Sequence, residues 1–291
     1  MSKYINPYTD FGFKKLFGEE ANKDLLIDFL NQLLPSHHQI ADLNFRNVES
    51  LPDVPAERKA IFDIHCKSIS GERFIVEMQK AKMKYFKDRS LFYVTFPIRE
   101  QIKKGEWDFK LDPIYFVAVL DFEYDEEEER RKFRRDIALK DQDGDLFFEK
   151  LHFSFLQMPL FTKQEHELET KFDKWCYFLK NLTTFDHIPA ILNEPIFQKA
   201  FKTTKVANLT VAQKQAYDEN LMDYWSMNSI IETAVETAVG IAVGIAVGIA
   251  TKNKGIEIAE NLINLGFDDN LITQATGLDL EQIKKLRNKT K

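Results

Sequence analysis

Two apolar segments joined by a short glycine turn constrain this chain more than any other feature. Residues 59–66 read Lys-Ala-Ile-Phe-Asp-Ile-His-Cys, and residues 72–79 read Glu-Arg-Phe-Ile-Val-Glu-Met-Gln. Both have the composition of strands, and the link Ile69-Ser70-Gly71 suits a three-residue hairpin loop with Gly71 in the left-handed conformation. Such a loop fixes a register: Ser68 pairs with Glu72, and counting outward sets Asp63 opposite Glu77. On the second strand Phe74, Val76 and Met78 take one face, while Ile75, Glu77 and Gln79 take the other.

Cross-strand partners have Cβ atoms about 4.5–5.5 Å apart, so the Asp63 and Glu77 carboxylates lie close enough to share one divalent cation. Two carboxylates facing each other on a largely apolar sheet repel and resist ionisation unless a cation sits between them. Hard oxygen ligands suit Mg²⁺ or Mn²⁺, and such an ion activates water and neutralises charge on a scissile phosphodiester. The alternative is an edge hairpin whose polar face meets water. Ile61 and Ile75 share the face of the two acids and argue against it, but periodicity alone leaves both readings open.

The rest of the chain supplies an α/β setting. Residues 10–34 read as helical, with Phe13, Leu16 and Phe17 on one stripe, and Pro35 closes that element. Ala41–Ser50 is strand-like. Residues 80–104 read as one long amphipathic helix that Pro97 should kink or interrupt. Pro113–Phe122 is a continuous apolar run, the mark of a buried central strand. The acidic run Glu126–Glu129 meets basic Arg130–Lys132 in an exposed loop, a further strand begins at Leu151, and nearly everything after Gln164 is helical. The expectation is a central mixed sheet flanked by helices, followed by an α-helical C-terminal tail.

That tail holds a four-residue repeat, Ala-Val-Gly-Ile, with Gly240, Gly244 and Gly248 in step. On a helix the glycines form a slowly spiralling small-residue groove. Self-association through residues 234–250 and a tolerated low-complexity block are equally good accounts. Beyond Lys252 three short helices are expected, with turns at Gly266 and Gly277. They read as a compact cap in preference to a helix-turn-helix DNA reader, because the segment has little excess basic charge. The expected divisions are a core over 1–205, a long helix over 206–252 and a small helical segment over 253–291.

Several classes are disfavoured. The net charge of −6 means that positive charge for a nucleic acid must be concentrated locally. Cys66 and Cys176 have no partner at metal spacing and suggest a reducing compartment. The N-terminus lacks a secretory pattern, and the uncharged run from Thr237 to Ala250 is shorter than the roughly 20 residues of a membrane span. A cytoplasmic protein without a membrane partner is expected. No Ser/His/Asp set, phosphate-binding glycine loop or dinucleotide fingerprint appears. His37 and His38 fall in a loop; His65, on the Asp63 face, reads as packed or solvent-facing before it reads as part of a site.

Positive charge does concentrate after the hairpin. Lys80, Lys82, Lys84, Lys87, Arg89, Arg99, Lys103 and Lys104 face only Asp88 and Glu100 within residues 80–104. This is either a backbone-contacting surface for DNA or an ordinary solvated helix face. Arg89 and Tyr93 are spaced i, i+4 and share a side, with Arg89 the candidate phosphate contact and Tyr93 packed beneath it.

These motifs in combination resemble the Rpn family of recombination-promoting nucleases and transposases, within the PD-(D/E)XK nuclease superfamily. The resemblance is carried by Phe13-Lys14-Lys15-Leu16-Phe17-Gly18, Asp63, Glu77-Met78-Gln79, and Arg89 with Tyr93. It extends from about Asp10 through the Phe122 strand, and the repetitive helix with its helical end is also typical. It implies a restriction-endonuclease-like core and a Mg²⁺- or Mn²⁺-dependent DNA endonuclease tied to recombination or transposition. Asp63 and Glu77 would be metal ligands, with the Met78 carbonyl a third, and Lys14 would join Lys80, Lys82, Arg89 and Tyr93 on the DNA. Gln79 stands where the superfamily usually has lysine. A glutamine can orient water or coordinate metal but cannot take its proton, which puts efficiency in question more than reaction type. The rival is a catalytically weak DNA- or protein-binding module that oligomerises through its glycine-repeat helix.

Overall fold

The structure, a computed structural model, describes residues 2–35, 39–46, 49–50, 60–102, 108–124 and 131–289, with the backbone alone at 49–50 and 60–61. Among the described residues eight strands run in chain order: β1 (Leu43–Phe45), β2 (Glu49–Ser50), β3 (Ala60–Ile61), β4 (Ile64–Ser68), β5 (Arg73–Gln79), β6 (Ile114–Leu120), β7 (Arg134–Lys140) and β8 (Leu146–Gln157). Six form one sheet in the order β1-β4-β5-β6-β8-β7, and β2 pairs with β3 separately. The β5–β6 and β6–β8 pairs are parallel and the others antiparallel. This is the expected mixed sheet.

Strand alternation divides the interior into two cores. Phe74, Val76 and Met78 join Tyr115, Val117 and Val119 on one face. There they meet α1 (Asp10–Phe17), α2 (Lys23–Asn31), α4 (Lys171–Asn181) and α5 (Pro195–Thr204). Ile75, Phe116, Ala118, Phe153 and Phe155 pack on the other face against α3 (Phe86–Arg99). Burial on both faces explains why β6 reads as an unbroken apolar run.

Four expectations change. The 10–34 helix is two helices, because the chain turns at Gly18 and re-enters through a short 3-10 turn at Glu20–Asn22. Residues 80–85 are not helical, and α3 begins only at Phe86; Lys80–Tyr85 offers no apolar stripe to dock. Pro97 does not interrupt α3, which closes two residues later at Arg99. So near the C-terminal end, the missing proline N–H removes only one late helical bond. Strand β7 was not anticipated, since its charges suit an edge strand and resemble a solvated turn. His37, His38, Lys103, Lys104 and Glu126–Arg130 lie outside the described residues.

The chain falls into two compact units, residues 1–227 and 228–291. Helix α6 (Val211–Asn264) runs unbroken through the repeat, so the first of the three short helices expected after Lys252 is the end of this one. The helix is long and apolar enough, by length and composition, to cross a membrane; the shortness of its uncharged run therefore does not settle that question. In the second unit Ala259 and Ile263 of α6 pack with Ile272, Leu278 and Ile283 from α7 (Asp269–Thr276), α8 (Leu280–Lys289) and the turn between them. Gly277 closes α7 in the left-handed conformation at φ 69°.

Candidate active site

The site grows out of the β4–β5 hairpin. Ser68 N–H donates to the Glu72 carbonyl at 2.9 Å, and Gly71, at φ 110°, makes the turn that a side chain would strain. Pairing proceeds from Lys67↔Arg73 to Ile64↔Val76, so the next pair outward is Asp63 and Glu77, as the loop length requires. This is a position without ladder hydrogen bonds, where opposing side chains approach most closely.

The segment expected to be one strand through Asp63 is interrupted there, between β3 and β4. Side chains take over the pairing. Met78 N–H donates to Asp63 Oδ2 at 2.6 Å, and Asp63 N–H donates to Glu77 Oε1 at 3.3 Å. Gln79 Nε2 donates to Glu77 Oε2 at 2.9 Å. Arg89 reaches across from α3 to within 4.0 Å of Glu77 Oε2, and its guanidinium lies 4.8 Å from the centre of the Tyr93 ring. Asp63, Glu77, Gln79, Arg89 and Tyr93 are therefore brought together.

Glu77 is 1% exposed. Burial, then the neighbouring Asp63 charge, raises its pKa to about 8, against the lowering pull of Arg89, the Asp63 N–H and Gln79. Burial likewise raises Asp63 to about 6, opposed first by the Met78 N–H. Both acids are thus held toward the neutral form, Glu77 more strongly because it lies deeper.

Lys14 enters from α1. It pairs with Asp10 at 2.7 Å, and the charges of both act on Asp63, Asp10 raising and Lys14 lowering its pKa. Asp10 was missed in the sequence; its i, i+4 spacing to Lys14 was the available signal, but nothing local tied it to residue 63. Lys80 and Lys82 do not form the first turns of a helix flanking the site. They occupy the irregular link to α3 and make no hydrogen bond or ion pair among the described residues. His65 is packed in the core beside Phe62, with Glu100 3.8 Å away.

Among the described residues no group of three or more His, Cys, Asp or Glu side chains is arranged to hold a metal. The donor set is two carboxylates with the Gln79 side chain and nearby backbone. That fits Mg²⁺, which retains several waters and needs only one or two protein carboxylates. Both acids are held toward the neutral form even with Arg89 at 4.0 Å from Glu77 and the Lys14 charge acting on Asp63, so an added cation between them would be favoured.

A family model described as PD-(D/E)XK nuclease family transposase matches residues 7–234. No curated protein and no solved structure matches the chain.

Proposed function

Because the chain belongs to the PD-(D/E)XK nuclease family of transposases, we propose that it is a divalent-metal-dependent DNA endonuclease whose catalytic group is Asp63, Glu77 and Gln79. The observation that carries the reading is the juxtaposition of Glu77, buried on β5, with Asp63 in the strand break before β4, joined through the Asp63 N–H and flanked by Arg89. Asp63 and Glu77 would hold Mg²⁺ or Mn²⁺, with the Met78 carbonyl as a third ligand. When bound, the ion supplies an activated water and stabilises charge on the phosphate.

The chain's own groups do the rest. Gln79, anchored on Glu77, orients the attacking water. Arg89, held over Tyr93, meets a non-bridging phosphate oxygen, since a guanidinium matches phosphate geometry. Lys14, Lys80 and Lys82 contact the DNA backbone, a sequence-independent attraction that fits little sequence preference. The reaction would serve DNA recombination or transposition in the cytoplasm, where the buried free thiols Cys66 and Cys176 stay reduced. The test is plasmid nicking with Mg²⁺ by the wild type beside Asp63→Ala and Glu77→Ala. Nicking by the wild type alone is expected; equal nicking by all three sinks the assignment.

A second reading rests on a different observation. Val239, Ile241, Val243, Ile245, Val247 and Ile249 are all exposed, and a Cβ added at Gly240, Gly244 or Gly248 would meet nothing within 4 Å. A helix apolar on all sides calls for a cover, and a homo-oligomer through residues 234–250 would provide one. Deleting 234–250 should lower the number of subunits per particle in solution; an unchanged subunit number removes the repeat from the assembly.

A further inference from the structure

Three α6 side chains within the first unit reach back to the N-terminal segment and the sheet. The Tyr217 hydroxyl accepts from Asn6 N–H at 2.9 Å, Asn220 Oδ1 accepts from Phe11 N–H at 3.1 Å, and the Tyr224 hydroxyl donates to Asp121 Oδ2 at 2.7 Å. Their spacing of three and four residues puts them on one stripe of the helix. Each partner belongs to an element bordering the candidate site. Asn6 and Phe11 belong to the entry and first turn of α1, which carries Asp10 and Lys14. Asp121 follows β6, and its N–H donates to the Gln79 carbonyl at 2.9 Å.

The Phe11 contact extends a cap. A helix leaves its first N–H groups without internal partners. Here Thr9 Oγ1 takes Gly12 N–H at 3.0 Å, and the neighbouring Phe11 N–H is taken by a side chain 209 residues away. The start of α1 is thus set by α6 as well as by its own sequence. Phe13, Leu16 and Phe17 of α1 share a core with Val76 and Met78 of β5. A displaced first turn would therefore move the Asp10–Lys14 pair, whose charges both act on Asp63.

We propose that Asn220 is a positioning residue for the Asp63 side of the hydrolytic site: by capping α1 from α6 it fixes where the Asp10–Lys14 ion pair stands. This rests on the hydrolytic reading above, and its test is kept separate from activity. Hydrogen exchange of the full chain, read at residues 9–17, is compared for the wild type, Asn220→Ala and Asn220→Asp, with calorimetric Mn²⁺ titration of the same proteins. In Asn220→Ala the Phe11 amide should exchange roughly tenfold faster and Mn²⁺ should bind about tenfold more weakly. Asn220→Asp keeps an acceptor for Phe11 and should restore both. Should the alanine variant fail to fold, Asn220→Ser, too short to reach Phe11, takes its place with the same expected result. Unchanged exchange, or Mn²⁺ affinity unmoved while only the melting temperature falls, overturns the proposal. Wild type that binds Mn²⁺ yet never nicks plasmid sinks the hydrolytic reading and leaves the positioning result legible; wild type that binds no Mn²⁺ sinks both.

Discussion

The amide of Met78 donates to the carboxylate of Asp63 at 2.6 Å. In an unbroken ladder that N–H would reach the Phe62 carbonyl, since pairs 64/76 and 62/78 are the hydrogen-bonded positions. The β-strand breaks at residues 62–63, and an ionisable side chain substitutes for a peptide carbonyl. The break thereby turns Asp63 inward, toward Glu77.

This arrangement makes metal-free stability depend on pH. The Glu77 carboxyl has its ordinary pKa of 4.5 when unfolded, and burial and then the Asp63 charge push it up to about 8 in the fold. Folding therefore favours its protonated form, and the associated stability is present below about pH 4.5 and lost as pH rises through about 8. In EDTA the protein should weaken between pH 5.5 and 8.5 by on the order of 3 kcal/mol. Glu77→Gln should flatten that decline, and Mg²⁺ should offset it in the wild type. Denaturant melts at four pH values decide the matter; a wild-type profile parallel to that of Glu77→Gln contradicts it.

Gln79 holds Glu77 through its side-chain amide, and under the proposed function it would also orient water; neither task requires a proton acceptor. Gln79→Ala should lower the nicking rate roughly 10- to 100-fold. Gln79→Lys, which restores the superfamily's usual residue, should match or exceed the wild type. A lysine variant as slow as the alanine one would show that this site cannot use the substitution.

Arg89 is held by Tyr93 and Glu77 at the edge of the site. Arg89→Ala should weaken DNA binding about uniformly across sequences and reduce the salt slope of binding by about one. Binding titrations in Ca²⁺ at several salt concentrations measure this. An unchanged slope removes Arg89 from the phosphate contacts.

Gly12 packs where no side chain fits. An added Cβ would lie 2.0 Å from the Asn6 carbonyl oxygen, a backbone atom that cannot swing aside. Gly12→Ala should cost roughly 3 kcal/mol or more, despite alanine's better helix propensity. A variant as stable as the wild type in denaturant melts would contradict the close approach.

Tyr8 buries a hydroxyl that has no hydrogen-bond partner among the described residues. Tyr8→Phe removes that polar atom and leaves the ring, so stability should be unchanged or rise by up to about 1 kcal/mol. A loss above about 1 kcal/mol in the same melts would mean the hydroxyl is satisfied.

The sequence by itself determined whatever depends on counting between neighbours. The length of the Ile69–Gly71 loop set Asp63 opposite Glu77, and alternation along Phe74–Gln79 assigned each residue to a face, because strand geometry repeats every two residues. The apolar run at Pro113–Phe122 announced a strand covered on both sides for the same reason. Tertiary structure decided the strand break at Phe62–Asp63, the passage of α3 through Pro97, and β7 as an edge strand. It alone brought Asp10 and Lys14 to Asp63, and Asn220 to Phe11. These outcomes depend on atoms tens to hundreds of residues apart, whose meeting is fixed by packing of the whole core and leaves no local period to read.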